Sequence, residues 1–213
     1  MDPDAYMPGV LLDLDGTLVD SVYQHVIAWS GAFAARGYEV PAWRIHAGIG
    51  MGGSRLVPWV LGRHVDDGDD ISDDHRRRFL SRAGRLRATR GATELIGDLE
   101  RREVAFQIAT SADAEVREAL LGALGRTDLS SADADDVGSS KPAPDLLLAT
   151  CADLGVEPAD ATLVGDSPWD AEAARRVGIR TIAVRCGGFG DDRLLAAGVD
   201  DVVDDPGALV GRL

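Results

Sequence analysis

The strongest constraint on the fold is a rhythm of short apolar runs separated by longer amphipathic stretches. The runs are Gly9 to Asp13 (GVLLD), Val104 to Thr110 (VAFQIAT), Ala161 to Gly165 (ATLVG), Arg180 to Val184 (RTIAV) and Asp201 to Val203. Each reads as a buried strand. Ala92 to Arg102, Asp113 to Leu124, Pro144 to Leu154 and Pro168 to Val177 carry helical spacing between them. Strands alternating with helices of about 10–15 residues imply crossover connections and a mostly parallel sheet covered on both faces. The predicted class is α/β, with a doubly wound, Rossmann-like core.

Residues 22–90 have a different character. Val22, Val26, Trp29 and Phe33 recur at helical spacing in a stretch that ends at Gly37, and Ile71 to Arg90 reads as a charged helix with apolar points at Phe79, Leu80 and Leu86. No strand is evident there. The expectation is an inserted all-helical cap over 22–90, with the catalytic core formed by 1–21 and 91–213; a chain of 213 residues accommodates both. The acidic block Val65 to Asp70 (VDDGDD) is expected to be a solvated loop, since its carboxylates do not fit the spacing of a calcium loop with a distal Glu. Gly48 to Gly53 matches G-x-G-x-x-G, but the lead-in Trp43 to Ala47 is not strand-like and Pro58 interrupts the stretch after the glycines, so a dinucleotide site is rejected. A glycine-rich cap loop facing the active site is the better reading, with Gly52, Gly53 and Arg55 as candidates for reading the substrate. The four histidines show no metal-ligand spacing and are assigned to cap structure or surface; Trp29, Trp43 and Trp59 are expected to pack the cap.

Composition narrows the partners. The formal charge of −14 argues against nucleic acid, whose binding is driven by clustered Lys and Arg. No apolar run approaches the roughly 20 residues of a membrane span, and the acidic start MDPDAYMPG is unlike a secretory signal. Two cysteines, Cys151 and Cys186, make no disulfide framework, and a cytoplasmic location is expected. Of the 22 basic residues only Lys141 is lysine. A coding bias toward arginine explains the others. A site too tight for a guanidinium fork would explain the exception, with chance survival as the plain alternative.

Ligands of open parallel sheets sit outside the carboxyl ends of the strands, where three of the runs end in reactive side chains. The first leads into Asp13-Leu14-Asp15-Gly16-Thr17, whose two carboxylates, two residues apart in extended chain, point the same way. Two carboxylates about 4 Å apart repel by about 4 kcal/mol at an effective dielectric of about 20. A shared pocket therefore needs a cation or a retained proton; otherwise the pair are turn aspartates exposed to water. The second run ends Thr110-Ser111, where Ser111 suits either a helix cap or a phosphate oxygen at a helix N-terminus. The third ends Gly165-Asp166-Ser167-Pro168-Trp169-Asp170. Capping explains Asp166 alone, but not a second carboxylate returned to the same edge by Asp170. Lys141 is presented between two prolines in Ser140-Lys141-Pro142-Ala143-Pro144.

In this order the segments resemble the haloacid dehalogenase superfamily of hydrolases, in its phosphoglycolate phosphatase-like and sugar-phosphatase branch. LLDLDGTLVDS resembles the first motif, ATSA the second, SSKPAPD the third and GDSPWD the fourth; the helical insertion after the first resembles the mobile cap. The resemblance covers nearly the whole chain. It implies Mg²⁺-dependent hydrolysis of a small-molecule phosphate monoester through an aspartyl-phosphate on Asp13. Asp15 is then the general acid/base, its pKa expected to be raised toward working pH. The resemblance further implies metal ligation by Asp13, Asp166 and the backbone carbonyl of Asp15, with Asp170 orienting the metal shell. It assigns phosphoryl binding to Ser111, Ala112, Thr17 and Lys141, the lysine also offsetting the charge of nucleophile and phosphate. Asp15 favours phosphoryl transfer over dehalogenation, because a departing halide needs no proton. The second motif reads Thr-Ser-Ala rather than the Thr-Asn-Lys common in phosphoglycolate enzymes, which points away from phosphoglycolate. A phosphosugar mutase would use the same residues. A non-catalytic receiver-like domain is a more distant reading, since it lacks the insertion and orders its motifs differently. The expected partner is a small phosphorylated metabolite, not nucleic acid or membrane, and the expected state is a monomer or weak homodimer.

Overall fold

A computed structural model of the chain describes residues 9–133 and 141–213. The acidic residues 1–8 and Gly138, Ser139 and Ser140 ahead of Lys141 lie outside that range. Strands β1 (Gly9–Leu12), β2 (Phe106–Thr110), β3 (Ser131–Asp133), β4 (Ala161–Gly165), β5 (Arg180–Val184) and β6 (Asp201–Val203) form one sheet. All its pairings are parallel, in the order β3-β2-β1-β4-β5-β6. Leu11 of β1 stands opposite Gln107 on one side and Leu163 on the other.

Side chains alternate across the sheet as the two-residue period of a strand requires. Val10 and Leu12 enter an apolar cluster with Leu95, Ile96 and Leu99 of α5 (Ala92–Arg101) and Leu120 and Leu124 of α6 (Ala114–Leu124). Leu11 enters the opposite one, with Leu146, Leu147 and Cys151 of α7 (Asp145–Leu154) and Ala173 and Ala174 of α8 (Pro168–Arg175). A further helix, α9 (Asp191–Ala197), buries Leu194 against Ala183. With both faces covered, β1 has no room for polar side chains until it ends, and its chemistry is confined to the end.

Between β1 and β2 lie α1 (Val22–Ala35), α2 (Ala42–Gly48), α3 (Gly53–Leu61) and α4 (Gly68–Leu80). They gather an apolar cluster of their own, including Trp29, Phe33, Ile45, Leu56, Val60 and Ile71. The two connections to the sheet run side by side: Asp20 N–H donates to the Arg87 carbonyl at 2.9 Å, and Thr89 N–H to the Leu18 carbonyl at 2.9 Å.

Several expectations are corrected. The charged helix stops at Leu80, and a short turn at Ala83–Arg85 precedes the return connection. The acidic block is not wholly loop, because α4 begins at Gly68 and sets Asp69 and Asp70 in its first turn, where the helix dipole favours anions. Pro58 does not end a helix; it sits within α3, which continues past it to Leu61. The dinucleotide reading still fails, since the segment before the glycines is the helix α2 rather than a strand. Trp29 is buried in the insertion, but Trp43 is 69% exposed, and Trp59 meets Trp169 of α8 edge-on at 5.7 Å instead of filling the insertion's interior. Strand β3 is an addition to the five predicted.

Candidate active site

Strand order reverses between β1 and β4, the place where an open α/β sheet leaves a crevice. Asp13 follows β1 there and Asp166 follows β4. A turn folds the chain back at once after Asp15: Gly16 N–H donates to the Val19 carbonyl at 2.8 Å, with Gly16 at φ +76°. Glycine is required twice over at this position, by its left-handed backbone and because a Cβ would collide with Asp166 Oδ2.

Carboxylate oxygens of Asp13, Asp166 and Asp170 lie within 4.8 Å of one another, all three residues buried. Lys141, also buried, donates from Nζ to Asp13 Oδ1 and lies 2.6 Å from Asp170 Oδ1. The Thr17 hydroxyl lies 3.2 Å from Asp13 Oδ2 and 3.3 Å from Asp166 Oδ1. Ser167, not Asp166, caps α8: its Oγ lies 2.6 Å from Asp170 Oδ2 and its N–H donates to the same oxygen at 3.1 Å. The cap therefore fixes the Asp170 rotamer. The first turn of α8 performs two tasks, closing the helix end and presenting a carboxylate.

Three buried carboxylates facing one ammonium hold more negative charge than the site neutralises. Burial pushes the Asp13 carboxyl up to about 7, with Lys141 opposing and Asp170 and Asp15 adding. Burial, then repulsion from Asp13 and Asp170, raises Asp166 well above its usual range. Burial alone would lower Lys141, but Asp13 and Asp170 outweigh it and raise the ammonium's pKa. Asp166 Oδ2 is buried and has no hydrogen-bond partner among the described residues, and a Cβ on Gly187 would fill the space beside it. An all-oxygen donor set with excess negative charge and an unpartnered buried oxygen fits a divalent cation.

Asp15 behaves differently from its neighbour. Burial would raise its carboxyl, but the charge and hydrogen bond of the His25 ring and the Ser21 hydroxyl outweigh it, and the pKa lies below the usual value. This corrects the expectation of a raised pKa. His25 Nε2 and Ser21 Oγ both stand 2.8 Å from Asp15 Oδ1. Asp15 therefore rests as a carboxylate, and an anion brought close to it would shift it toward the acid form.

A cleft of about 290 Å³ opens above these groups. From the sheet side it is lined by Asp13, Asp15, Ser111, Ala112 and Lys141, and from the insertion by Gly52 and Gly53 among others. Ser111 does not cap α6; Asp113 does, accepting from Val116 N–H at 3.0 Å, and Ser111 Oγ is buried without a partner among the described residues. Ala112 N–H is turned onto Thr110 Oγ1 at 3.1 Å. Thr17 is fully buried beneath the carboxylates and absent from the cleft lining, so the structure places it as a holder of Asp13 and Asp166 rather than a phosphoryl ligand. Arg55 is exposed on α3 and does not line the cleft. The arginine of the insertion that does is Arg76 of α4, 3.0 Å from Asp73 and within 4.0 Å of Asp113 and Glu115 beside α6. Two site neighbours, His25 and Arg76, were not legible in sequence. His25 lies four residues after Ser21, on the same helical face, and that spacing is the one signal it carried.

The fold places a buried carboxylate cluster at the crevice where sheets of this α/β class take their ligands. A family model of haloacid dehalogenase-like hydrolases matches residues 7–178. The chain is 31% identical over 205 residues to an N-acetylmuramic acid 6-phosphate phosphatase of Pseudomonas putida, with 92% of each chain covered. It is 33% identical over 213 residues to a plasmid-encoded phosphoglycolate phosphatase of Cupriavidus necator, covering 96% of this chain and 92% of the other. The crystal structure of a hydrolase from Pseudomonas syringae superposes with a TM-score of 0.93 at 33% identity, over 96% of both chains. The chain belongs to the haloacid dehalogenase-like hydrolases, and its enzyme class is phosphoric monoester hydrolase.

Proposed function

We propose that the chain hydrolyses a small-molecule phosphate monoester in two displacements at phosphorus, with Mg²⁺ as its cation, and that residues 22–90 act as a cap over a core of 1–21 and 91–213. The observation that carries this reading is the convergence of Asp13, Asp166, Asp170 and Lys141 at one strand edge beneath a cleft lined by Ser111 and Asp15. An Asp13 carboxylate oxygen attacks phosphorus, the ester P–O bond breaks, and Asp15, protonated from solvent as the anionic ester binds beside it, delivers that proton to the departing oxygen. Asp15, now ionised beside His25 and Ser21, takes a proton from water as the water oxygen attacks phosphorus. The bond to Asp13 breaks, inorganic phosphate leaves, and Asp15 gives its proton back to solvent and returns to its ionised resting form.

Lys141 and the Ser111 hydroxyl hold the phosphoryl oxygens, and Lys141 offsets the charge of the nucleophile. Asp13, Asp166 and the Asp15 backbone carbonyl would hold Mg²⁺, with Asp170 fixing the arrangement. When bound, the ion supplies positive charge against a phosphoryl group entering an anionic pocket. Enzymes accelerate this slow hydrolysis by up to about 10²¹-fold, and positioning and fixed charge carry most of it. Both relatives named above act on small phosphorylated compounds according to their names, which supports the substrate class.

The test is a panel of phosphorylated metabolites, N-acetylmuramic acid 6-phosphate and phosphoglycolate among them, assayed for released phosphate with Mg²⁺. Release that depends on Mg²⁺ and Asp13 is the expected result. Isomerised sugar phosphate without released phosphate would establish a mutase instead, and a long-lived phosphorylated chain without turnover would establish a phosphoacceptor domain.

A further inference from the structure

We infer that His75, on cap helix α4, is a positioning residue for Asp15, acting through His25. The inference rests on the reading of Asp15 as the acid/base group. Helices α1 and α4 meet through two i, i+4 pairs, His25 with Trp29 and His75 with Phe79. The His25 ring stacks on Phe79 with centroids 3.8 Å apart and planes 6° from parallel, and the His75 ring stacks on Trp29 at 3.9 Å and 8°. In the plane of the rings a second set of contacts runs toward the chemistry. His75 Nε2 lies 2.9 Å from His25 Nδ1, and His25 Nε2 lies 2.8 Å from Asp15 Oδ1.

These two sets of contacts do different work. Stacking fixes the plane of the His25 ring but is blind to a half-turn about the Cβ–Cγ bond, because the ring lies in the same plane either way. A half-turn exchanges ring nitrogens for carbons and takes the Nε2 donor off Asp15. The hydrogen bonds at both ring nitrogens distinguish the two orientations, and His75 supplies the one that is independent of Asp15 itself. Burial, then the neighbouring His25, lowers the His75 pKa well below its usual value, so its ring is neutral. A neutral imidazole can present either a donor or an acceptor at Nε2, and so satisfies His25 Nδ1 whichever His25 nitrogen carries the proton. With the ring held, the two donors His25 and Ser21 both engage Asp15 Oδ1, and Oδ2 is left for the ligand. Residue His75 thereby makes the cap, and not only the core, responsible for the aim of the acid/base group.

Two variants of the full chain test this. His75→Phe keeps a ring of similar size to stack on Trp29 and removes the hydrogen bond; His75→Gln keeps an amide that can reach His25 Nδ1. With 4-nitrophenyl phosphate and Mg²⁺, His75→Phe is expected to lower kcat by about tenfold with KM nearly unchanged, and His75→Gln to restore most of the loss. The ¹⁵N resonances of the His25 ring should show the hydrogen bond at Nδ1 in the wild type and in His75→Gln, and lose it in His75→Phe. A kcat for His75→Phe within about twofold of wild type, or equal damage in both variants, would overturn the inference. If the wild type released phosphate from no ester, the phosphatase reading would fall. The resonances would still decide this point, since His25 signals unchanged in His75→Phe refute a positioning role.

Discussion

Lys141 occupies a slot bounded by Asp13 and Asp170 and is itself almost wholly excluded from water. An ammonium fits between two carboxylates at contact distance, whereas a guanidinium is broader and directs its donors in a fixed plane. Lys141→Arg is therefore expected to fold but to lose kcat/KM by about 100-fold or more, because the fork displaces the nucleophile it should steady. Activity near wild type would sink that argument. Lys141→Met removes the ammonium and leaves the carboxylates uncompensated, which costs about 3 kcal/mol in a denaturant titration. Asp13→Asn keeps the shape of the side chain and removes the proposed nucleophile. Turnover should fall by about 10⁴-fold or more, while thermal unfolding at neutral pH is no lower than in the wild type, since one buried charge has gone. Lys141 and the aspartates were legible because each stands out locally, as the single lysine or as a repeated acidic pair after an apolar run. His25 was not, because its importance arises only where α1 crosses above Asp15. Thr17, to which the resemblance assigns phosphoryl binding, lies buried with its hydroxyl beside Asp13 and Asp166, a placement that arises only where β1 meets β4.

At the scale of elements, the N-terminus of α8 ties local structure to chemistry. Ser167 and Asp170 satisfy each other's polar groups reciprocally, so the residue that starts the helix also sets the carboxylate that contacts Lys141. Ser167→Ala is expected to cost about 1 kcal/mol of stability. It should also weaken Mg²⁺ affinity by about tenfold, because Asp170 loses the shorter of the two Ser167 donors that hold its rotamer. Thermal unfolding and the Mg²⁺ dependence of turnover measure the two effects separately; loss of stability with unchanged Mg²⁺ dependence would show that Lys141 and the backbone N–H of residue 167 hold Asp170 without the hydroxyl. Strands buried on both faces announced themselves as apolar runs, and β4, β5 and β6 begin and end where those runs do. Strand β3 did not, because Ser131–Asp133 is a three-residue edge strand with a single apolar residue, and pairing with β2 rather than composition makes it a strand. Helix caps were the other failure. Ser111 and Asp166 each had a neighbour able to cap, Asp113 and Ser167, and the choice between such neighbours depends on where the backbone leaves the extended conformation.

The whole molecule carries a formal charge of −14, and three of its carboxylates, Asp13, Asp166 and Asp170, are gathered in one buried cluster. This couples stability to pH and to metal in a direction that can be worked out. Asp13 is raised to about 7 in the folded chain and Asp166 is raised well above its usual range. Between the unfolded value of about 3.9 and the folded values, the folded chain binds more protons than the unfolded one. The contribution of these two groups is therefore complete below about pH 4 and is lost as pH rises through the window. His75, lowered from 6.5, works in the opposite sense over part of the same range, and Asp15, also lowered, does so only below its ordinary value. Asp15 titrates below the range from about pH 5 to about pH 8 and His75 makes no contact with the cluster, so over that range the difference between metal-free and metal-loaded protein reports the carboxylates. Cation binding requires them ionised and must displace their protons at low pH. Mg²⁺ should consequently raise the unfolding temperature little at about pH 5 and progressively more toward about pH 8. At 100 times its dissociation constant the ion stabilises by about 2.7 kcal/mol, a shift of about 5–10 °C for a chain of this size. Chelation with EDTA should abolish the difference, and Asp166→Asn should blunt it across the whole range. A shift of equal size at both ends of the range, or one untouched by Asp166→Asn, would mean that the ion binds somewhere other than this cluster.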